Sequence, residues 1–335
     1  MQLPNPTRFA PLSAALDRRT ELLSRLQAEN TDCYRLFHGT NEGVPGLSID
    51  RYGPQLLIQS FHHSLSEPEL AAIVAAAASH FEPLEVVYND RSAANSRRPE
   101  AEIVEIEHVC HEIGVSYRVR GRHAGQDPLL FLDMRVGRRF MLEQAKGKSV
   151  LNLFAYTSGL GLCAALGGAR EVWNVDFASR NLAVGHENAA LNALDPGAMR
   201  FIQSDFFTAA RQLAGLPVKV HRRQKPRPYL MLEPRHFDLV CLDPPRWAKS
   251  PFGTVDLIRD YQSLLKPSLL ATAEGGTLLC TNNVADVPLD DWLDAIRRCA
   301  TKLKRPLRAI DLLQPEADFP SPDGQPPLKI AVLQV

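Results

Sequence analysis

"SVLNLFAYTSGLGLCAALGGAREVWNVD", residues 149–176, decides the fold. It opens on a short apolar run, SVLNLF (149–154), passes through a glycine-marked turn and a helix-forming stretch, and closes on a second apolar run, EVWNVD (171–176). Apolar runs of that length separated by a helical pattern read as a βαβ unit of a parallel sheet covered on both faces.

The rhythm continues toward the C-terminus. MRFIQSD (199–205), FDLVCLD (237–243) and GTLLCTN (276–282) are further apolar runs with helical patterns between them. Two more, LRAIDLL (307–313) and LKIAVLQV (328–335), are joined by a proline-rich loop too short for a crossover helix, so they pair antiparallel. The expectation is an α/β fold: a Rossmann-like seven-stranded domain, residues 124–335, whose last strand is antiparallel.

Toward the N-terminus the pattern differs. Leucines at 16, 22, 23 and 26 predict one helix over 13–30, in a helical segment 1–32. Residues 33–123 read as a small α/β domain that precedes the Rossmann-like one. In it GLSIDRYGPQLLIQSF alternates like a hairpin turning at Gly53-Pro54, and Ser66 with Glu69 forms a capping box for an alanine-rich helix. LEVVYND and SYRVRGR supply further strands.

With 38 basic and 38 acidic residues the net charge is zero, which removes any bulk electrostatic argument for nucleic acid. One local patch stands out: KVHRRQKPRP (219–228) carries Lys219, Arg222, Arg223, Lys225 and Arg227 and no acid. It reads either as a solvated loop or as an RNA contact through Arg222 and Arg223. Six scattered cysteines without a CxxC pair read as reduced thiols, with no metal site. The lack of a membrane-length apolar run and of a signal-like start points to a cytoplasmic protein. Oligomeric state is left open, a homodimer included.

In an open α/β sheet, ligands lie beyond the carboxyl ends of the strands. Three consecutive runs end on acids, Asp176, Asp205 and Asp243, and the first leads into Gly159 and Gly161. Each acid alone could be a helix N-cap. Together, beside a glycine turn, they suit a ligand rich in hydroxyl and amino groups. Ala164 stands at the third glycine position of a dinucleotide fingerprint, which tolerates alanine there, so the glycines do not decide and Asp205 with Asp243-Pro244-Pro245 does. A rigid Asp243-Pro244-Pro245 knuckle would hold one acid and one carbonyl toward a flat substrate.

From about Leu130 to Asn283, the segments LLFLDMRVGRRFMLEQ, SVLNLFAYTSGLGL, IQSDFF and FDLVCLDPPRW resemble bacterial large-subunit ribosomal RNA methyltransferases of the class I, S-adenosylmethionine-dependent type. The resemblance covers the methyltransferase I (cytosine-5) and methyltransferase K (guanine-N7) families. It implies S-adenosyl-L-methionine as cofactor and RNA as partner. It places Asp133, Arg135 and Arg139 near the cofactor's methionine end, and Asn152, Phe154, Tyr156, Thr157 and Gly159 in the first turn. Asp176 would take ribose and Asp205 adenine, with Phe206 against the ring. Asp243 and the Pro244 carbonyl would face the target base, Trp247 would stack on it and Asn283 would orient its edge.

Two departures bear on the substrate. Cytosine-5 chemistry needs a thiolate nucleophile, yet CTNN (280–283) puts Asn283 where that family has cysteine. The guanine-N7 family has Ser-Asn-Asn there, matching Asn282 and Asn283, which favours methylation on a base nitrogen. The stretch ahead of residue 33 is also too short for the PUA domain of the cytosine-5 family. The expected function is therefore methylation of a base nitrogen of ribosomal RNA. The alternatives are cytosine-5 methylation through Cys280 or Cys241, and a cofactor-binding RNA assembly factor without turnover.

Overall fold

The computed structural model describes residues 9–92, 107–121, 128–218 and 228–335. Arg222 and Arg223 lie outside the described residues. The chain forms two compact units, Met1–Arg135 with Pro315–Gly324, and Val136–Gln314 with Gln325–Val335. The division thus falls at Arg135/Val136 rather than at 123/124, and a late segment returns to the first unit.

In the first unit, helices α1 (Ala10–Arg18) and α2 (Thr20–Ala28) replace the single helix expected over 13–30. The break falls at Arg19, whose buried guanidinium donates to the Ala15 carbonyl and to both Glu42 carboxylate oxygens. Strands β1 (Cys33–His38), β2 (Leu47–Tyr52) and β3 (Gln55–Ser60) form an antiparallel meander. It turns at Gly53-Pro54, where Gly53 adopts φ +57°. Helix α3 (Glu67–Ala78), opened by the Ser66–Glu69 capping box, crosses to the parallel strand β4 (Glu85–Asp90). Strands β5 (His108–Glu112) and β6 (Val115–Val119) make a separate hairpin. Leu12, Leu16, Leu22 and Leu26 pack with Ile49, Ile58 and Ile73, so the N-terminal helices belong to this unit's core.

The second unit begins in helix α4 (Arg135–Gln144) and alternates β7 (Ser149–Leu153), α5 (Gly159–Leu166), β8 (Glu171–Asp176), α6 (Ser179–Leu191), β9 (Met199–Gln203), α7 (Phe206–Leu213) and β10 (Phe237–Leu242). A small hairpin follows, β11 (Trp247–Ser250) and β12 (Gly253–Asp256), then α8 (Gln262–Ala271), β13 (Thr272–Asn282), α9 (Leu289–Lys302), β14 (Ala309–Leu313) and β15 (Lys329–Gln334). The seven-stranded sheet has the order β14-β15-β13-β10-β7-β8-β9, and β15 alone runs against its neighbours. The near-continuous apolar strands are buried on both faces, as helix-covered parallel strands must be. Strand order reverses at β7, with β8 on one side and β10 on the other. Among the described residues no helix is long and apolar enough to cross a membrane.

Candidate functional site

The carboxyl ends of β7, β8, β9, β10 and β13 share one edge of the second unit's sheet. After β7 the chain turns with strain: Phe154, Tyr156 and Ser158 adopt φ of +57°, +50° and +64°. Three non-glycine residues in the left-handed region within five positions are costly, and such outliers concentrate where a binding site dictates the backbone. The turn is tied to the neighbouring strand end. Tyr156 N–H donates to Asp176 Oδ2 and Ala178 N–H to Asp176 Oδ1, both at 2.9 Å, while Ala155 N–H donates to the Val175 carbonyl.

Asp176 is 8% exposed. Burial pushes its carboxyl above the ordinary value, opposed by the N–H donors of Ala178 and Tyr156. Inside the turn, Asn152 donates its amide to Asn174 Oδ1 at 2.9 Å, while Asn152 Oδ1 is buried without a partner among the described residues. Gly161 serves packing, since a Cβ there would stand 2.0 Å from Asn174 Oδ1. That glycine lets α5 approach β8 closely. Thr157 is buried and Gly159 opens α5.

At the end of β9, Asp205 caps α7 through Oδ1, which accepts the Phe207 N–H at 2.8 Å. Its other oxygen has no partner among the described residues. The N-cap bond therefore occupies only one oxygen of this carboxylate. Phe206, expected against adenine, is 6% exposed, and its ring stacks on Phe154 at 4.7 Å and 14°. The exposed aromatic beside these acids is instead Phe177, at 72%. Its signal in the sequence is plain afterwards, an aromatic directly following a strand-end acid.

At the end of β10, Asp243 Oδ1 accepts the hydroxyl of Thr281 at 2.6 Å. Leu242 pairs with Cys280 in register, so Asp243 and Thr281 are neighbours across the parallel strands. Tyr261 OH donates to the Thr281 carbonyl at 2.9 Å and packs edge-on against the buried Trp292. Thr281 was absent from the sequence expectations; register brings it in. Pro244 is buried and Pro245 exposed. Regular structure resumes at Trp247, the first residue of β11.

The end of β13 separates the two asparagines, Asn282 being its last residue and Asn283 lying just beyond it. Asn283 is exposed, whereas Asn282 is fully buried. Asn282 Oδ1 accepts the Val284 N–H, and its amide nitrogen has no partner among the described residues. Cys241 and Cys280 are both fully buried. Burial pushes the Cys241 thiol up, and pushes Cys280 up to about 12 against a hydrogen bond from Tyr261.

The residues expected at the methionine end divide. Arg139, half-buried, lies on α4 in the second unit; Asp133 lies in a 3-10 turn of the first. Arg135 is a correction. Its five N–H groups go to Glu112, Glu316, the Cys33 carbonyl and both oxygens of Asp318, at 2.9–3.2 Å. A guanidinium carries five donors, so none remains for a ligand. Arg135 knits the first unit together.

This set of acceptors suits an adenosyl ligand better than a dinucleotide. Two buried-edge carboxylates on adjacent strands accept hydroxyl and amino hydrogens and would repel a pyrophosphate. Comparison with known proteins points the same way. YwbD of Bacillus subtilis is 31% identical over 287 residues, which make up 82% of this chain and 66% of that one. Ribosomal RNA large subunit methyltransferase K/L of Pseudoalteromonas atlantica is 30% identical over 82% of this chain and 38% of its own length. Methyltransferase I of Aeromonas hydrophila is 28% identical over 92% and 75%. The chain thus spans about two thirds and two fifths of the first two relatives. Among solved structures, SMU.776 in complex with S-adenosylhomocysteine superimposes with a TM-score of 0.79 at 24% identity, covering 100% of this chain and 83% of that one. Trm5b of Pyrococcus abyssi follows at 0.54 and 14%, covering 94% and 76%; both likenesses concern the fold. Because the S-adenosylmethionine-dependent methyltransferase family matches residues 53–334, most of both units, the chain belongs to that family.

Proposed function

We propose that this protein transfers the methyl group of S-adenosylmethionine to a base nitrogen of large-subunit ribosomal RNA, in the cytoplasm. The observation that carries the choice of nitrogen is the pairing of a fixed acceptor with the lack of an accessible thiol. Asp243, anchored by Thr281, stands at the strand edge, while Cys241 and Cys280 are fully buried and held protonated. The relatives named methyltransferase K/L and I support RNA as the substrate.

When bound, the cofactor supplies an electrophilic methyl on a sulfonium, so the protein's task is mainly positioning. Asp176 accepts ribose hydroxyls and Asp205 an adenine amino hydrogen, while Asn152, Tyr156, Thr157 and Gly159 shape the turn between them. Phe154 and Phe206 back that turn as a stacked pair, and Arg139 is the remaining basic residue for the methionine carboxylate. Asp243 and the Pro244 carbonyl accept N–H hydrogens of an extruded base, and Asn283 orients its edge. Arg222 and Arg223 contribute phosphate contacts.

Labelled methyl from S-adenosylmethionine, followed by mass-spectrometric mapping of rRNA from a deletion strain, tests this reading. A methylated base nitrogen supports it; 5-methylcytosine overturns it. Intact-mass analysis on 5-fluorocytosine RNA should show no covalent adduct, since a thiolate is the nucleophile such trapping requires.

Asp176→Ala should weaken S-adenosylhomocysteine binding by ~1.5–3 kcal/mol, the value of a charged hydrogen bond. Calorimetry checks it, and unchanged affinity removes Asp176 from the site. The pH dependence has a defined sign. The carboxylate must be ionised to accept both hydroxyls, and burial raises its pKa. Affinity should therefore fall on acidification, beginning at higher pH than an ordinary aspartate would give.

A further inference from the structure

The hairpin β11–β12 follows the Asp243-Pro244-Pro245 knuckle directly, and its two faces differ. The inner face is pinned. Val255 is 4% exposed, and a Cβ on Gly253 would stand 2.5 Å from the Phe207 ring. The turn is tight, with Ser250 Oγ accepting the N–H groups of Phe252 and Gly253. Phe252 meets Tyr229 edge-on at 5.8 Å. At the open end the Leu257 N–H donates to the Arg246 carbonyl, and Asp256 Oδ1 accepts from Ile258 and Arg259 N–H. This is a rigid element held to the core along one side.

The outer face carries Trp247 and Lys249, with Asp256 across from Trp247 and Thr254 across from Lys249; the Asp256 carboxylate is engaged by the Ile258 and Arg259 N–H groups. Trp247 is 61% exposed and Ile258, just beyond the hairpin, is 52% exposed. Exposed beside them are Arg246, whose nearest acid is Asp286 at 3.8 Å, and Arg259, 3.9 Å from Asp256. Surface ion pairs at such distances are weak and exchange readily for a phosphate. A rigid exposed indole flanked by flexible cations matches a base that stacks and a backbone that carries negative charge. The indole's exposure also bears on its role. A wall of the target-base pocket would be largely enclosed, whereas Trp247 faces outward.

We infer that the outer face of this hairpin, Trp247 and Lys249 with Arg246, Ile258 and Arg259, is a stacking platform for a nucleotide flanking the target in single-stranded RNA. The inference rests on the reading of RNA as substrate and assigns that RNA its docking surface. Trp247 stacks on the neighbour of the modified base rather than on the base itself, and the cations take the phosphates on either side.

The three tryptophans make the test direct. Trp173 and Trp292 are 6% and 2% exposed, so the solvent-exposed emission belongs to Trp247. Titration of the full chain with a single-stranded oligoribonucleotide of about ten nucleotides should quench that emission saturably. Trp247→Leu should abolish the quenching and weaken binding, read by anisotropy, roughly 5- to 100-fold, while Trp247→Phe retains most of it. Lys249→Ala and Arg259→Ala should each lower the salt slope by ~0.7. Unquenched emission, or Trp247→Leu binding RNA as tightly as the parent chain, overturns the inference. So does a blue shift that grows with protein concentration alone, since that would make the face a contact between copies. Two parallel assays separate this from failure of the broader reading. Methyl transfer to rRNA with an indifferent Trp247→Leu sinks the platform alone; bound S-adenosylhomocysteine with no RNA methylated sinks the RNA reading.

Discussion

Asp243→Ala should lower the turnover of methyl transfer by roughly 10²–10³-fold and leave S-adenosylhomocysteine affinity within about twofold, the size of effect seen when one preorganised polar group at a reacting centre is removed. The expected loss follows from how the side chain is held. Its Oδ1 takes the Thr281 hydroxyl at 2.6 Å, and the Thr281 backbone is in turn fixed by Tyr261. Pro244 and Pro245 fix φ on the following residues, so the acid and the Pro244 carbonyl keep a constant direction. On the proposed reading, removing the carboxylate takes away the acceptor for the substrate base, whereas Asp176 and Asp205 remain for the cofactor. Single-turnover kinetics beside calorimetry checks the split. Loss of S-adenosylhomocysteine binding together with activity would move Asp243 into the cofactor site. Thr281→Val should follow in the same direction with a smaller effect, and Thr281→Ser should restore it.

Arg135→Met should destabilise the first unit by ~3–5 kcal/mol, because removing one member of a buried ion network leaves its partners charged and unpaired. The side chains of Arg135, Glu112 and Asp318 are 1%, 0% and 0% exposed, and Glu316 is 12% exposed. Burial alone would push the guanidinium's pKa down, but Asp318, Glu112 and Glu316 outweigh it and hold it well above the ordinary value, so it stays charged. The two units need not unfold together, so hydrogen exchange in β1 and β5 is a better readout than one melting temperature. Faster exchange there is expected, while the second unit's strands keep their protection. Adding Glu112→Gln and Asp318→Asn to Arg135→Met should recover much of the loss, since neutral partners avoid the uncompensated charges. Exchange unchanged in Arg135→Met would show that the network does not hold the unit.

Arg135 also marks where reading along the chain reached its limit. Within LDMRVGRR it is one of three arginines near a turn, and nothing local separates a ligand-facing arginine from a structural one. Its partners sit at 112, 316 and 318, and only the return of 315–324 to the first unit brings them together. Phe206 is similar. An aromatic after a strand-end acid reads as a ring for adenine, but the left-handed turn at Phe154 places a second ring on its face. Asn282 and Asn283 are neighbours in sequence, but β13 ends at Asn282, which leaves one buried in the sheet and the other exposed beyond it. Thr281 carried no motif of its own; the register of β10 against β13 made it Asp243's partner.

The sequence by itself determined the sheet, its reversed last strand and the acids at three successive strand tips. Apolar runs of strand length spaced by helical patterns admit few other arrangements, and a residue that ends a parallel strand must lie at the ligand edge. Only the tertiary structure decided which side chains at that edge are available to a ligand and which are consumed by the fold. Availability depends on burial and on hydrogen-bond partners distant along the chain. Those are fixed when the strands fall into register and residues 315–324 close over Arg135, and no local pattern encodes them.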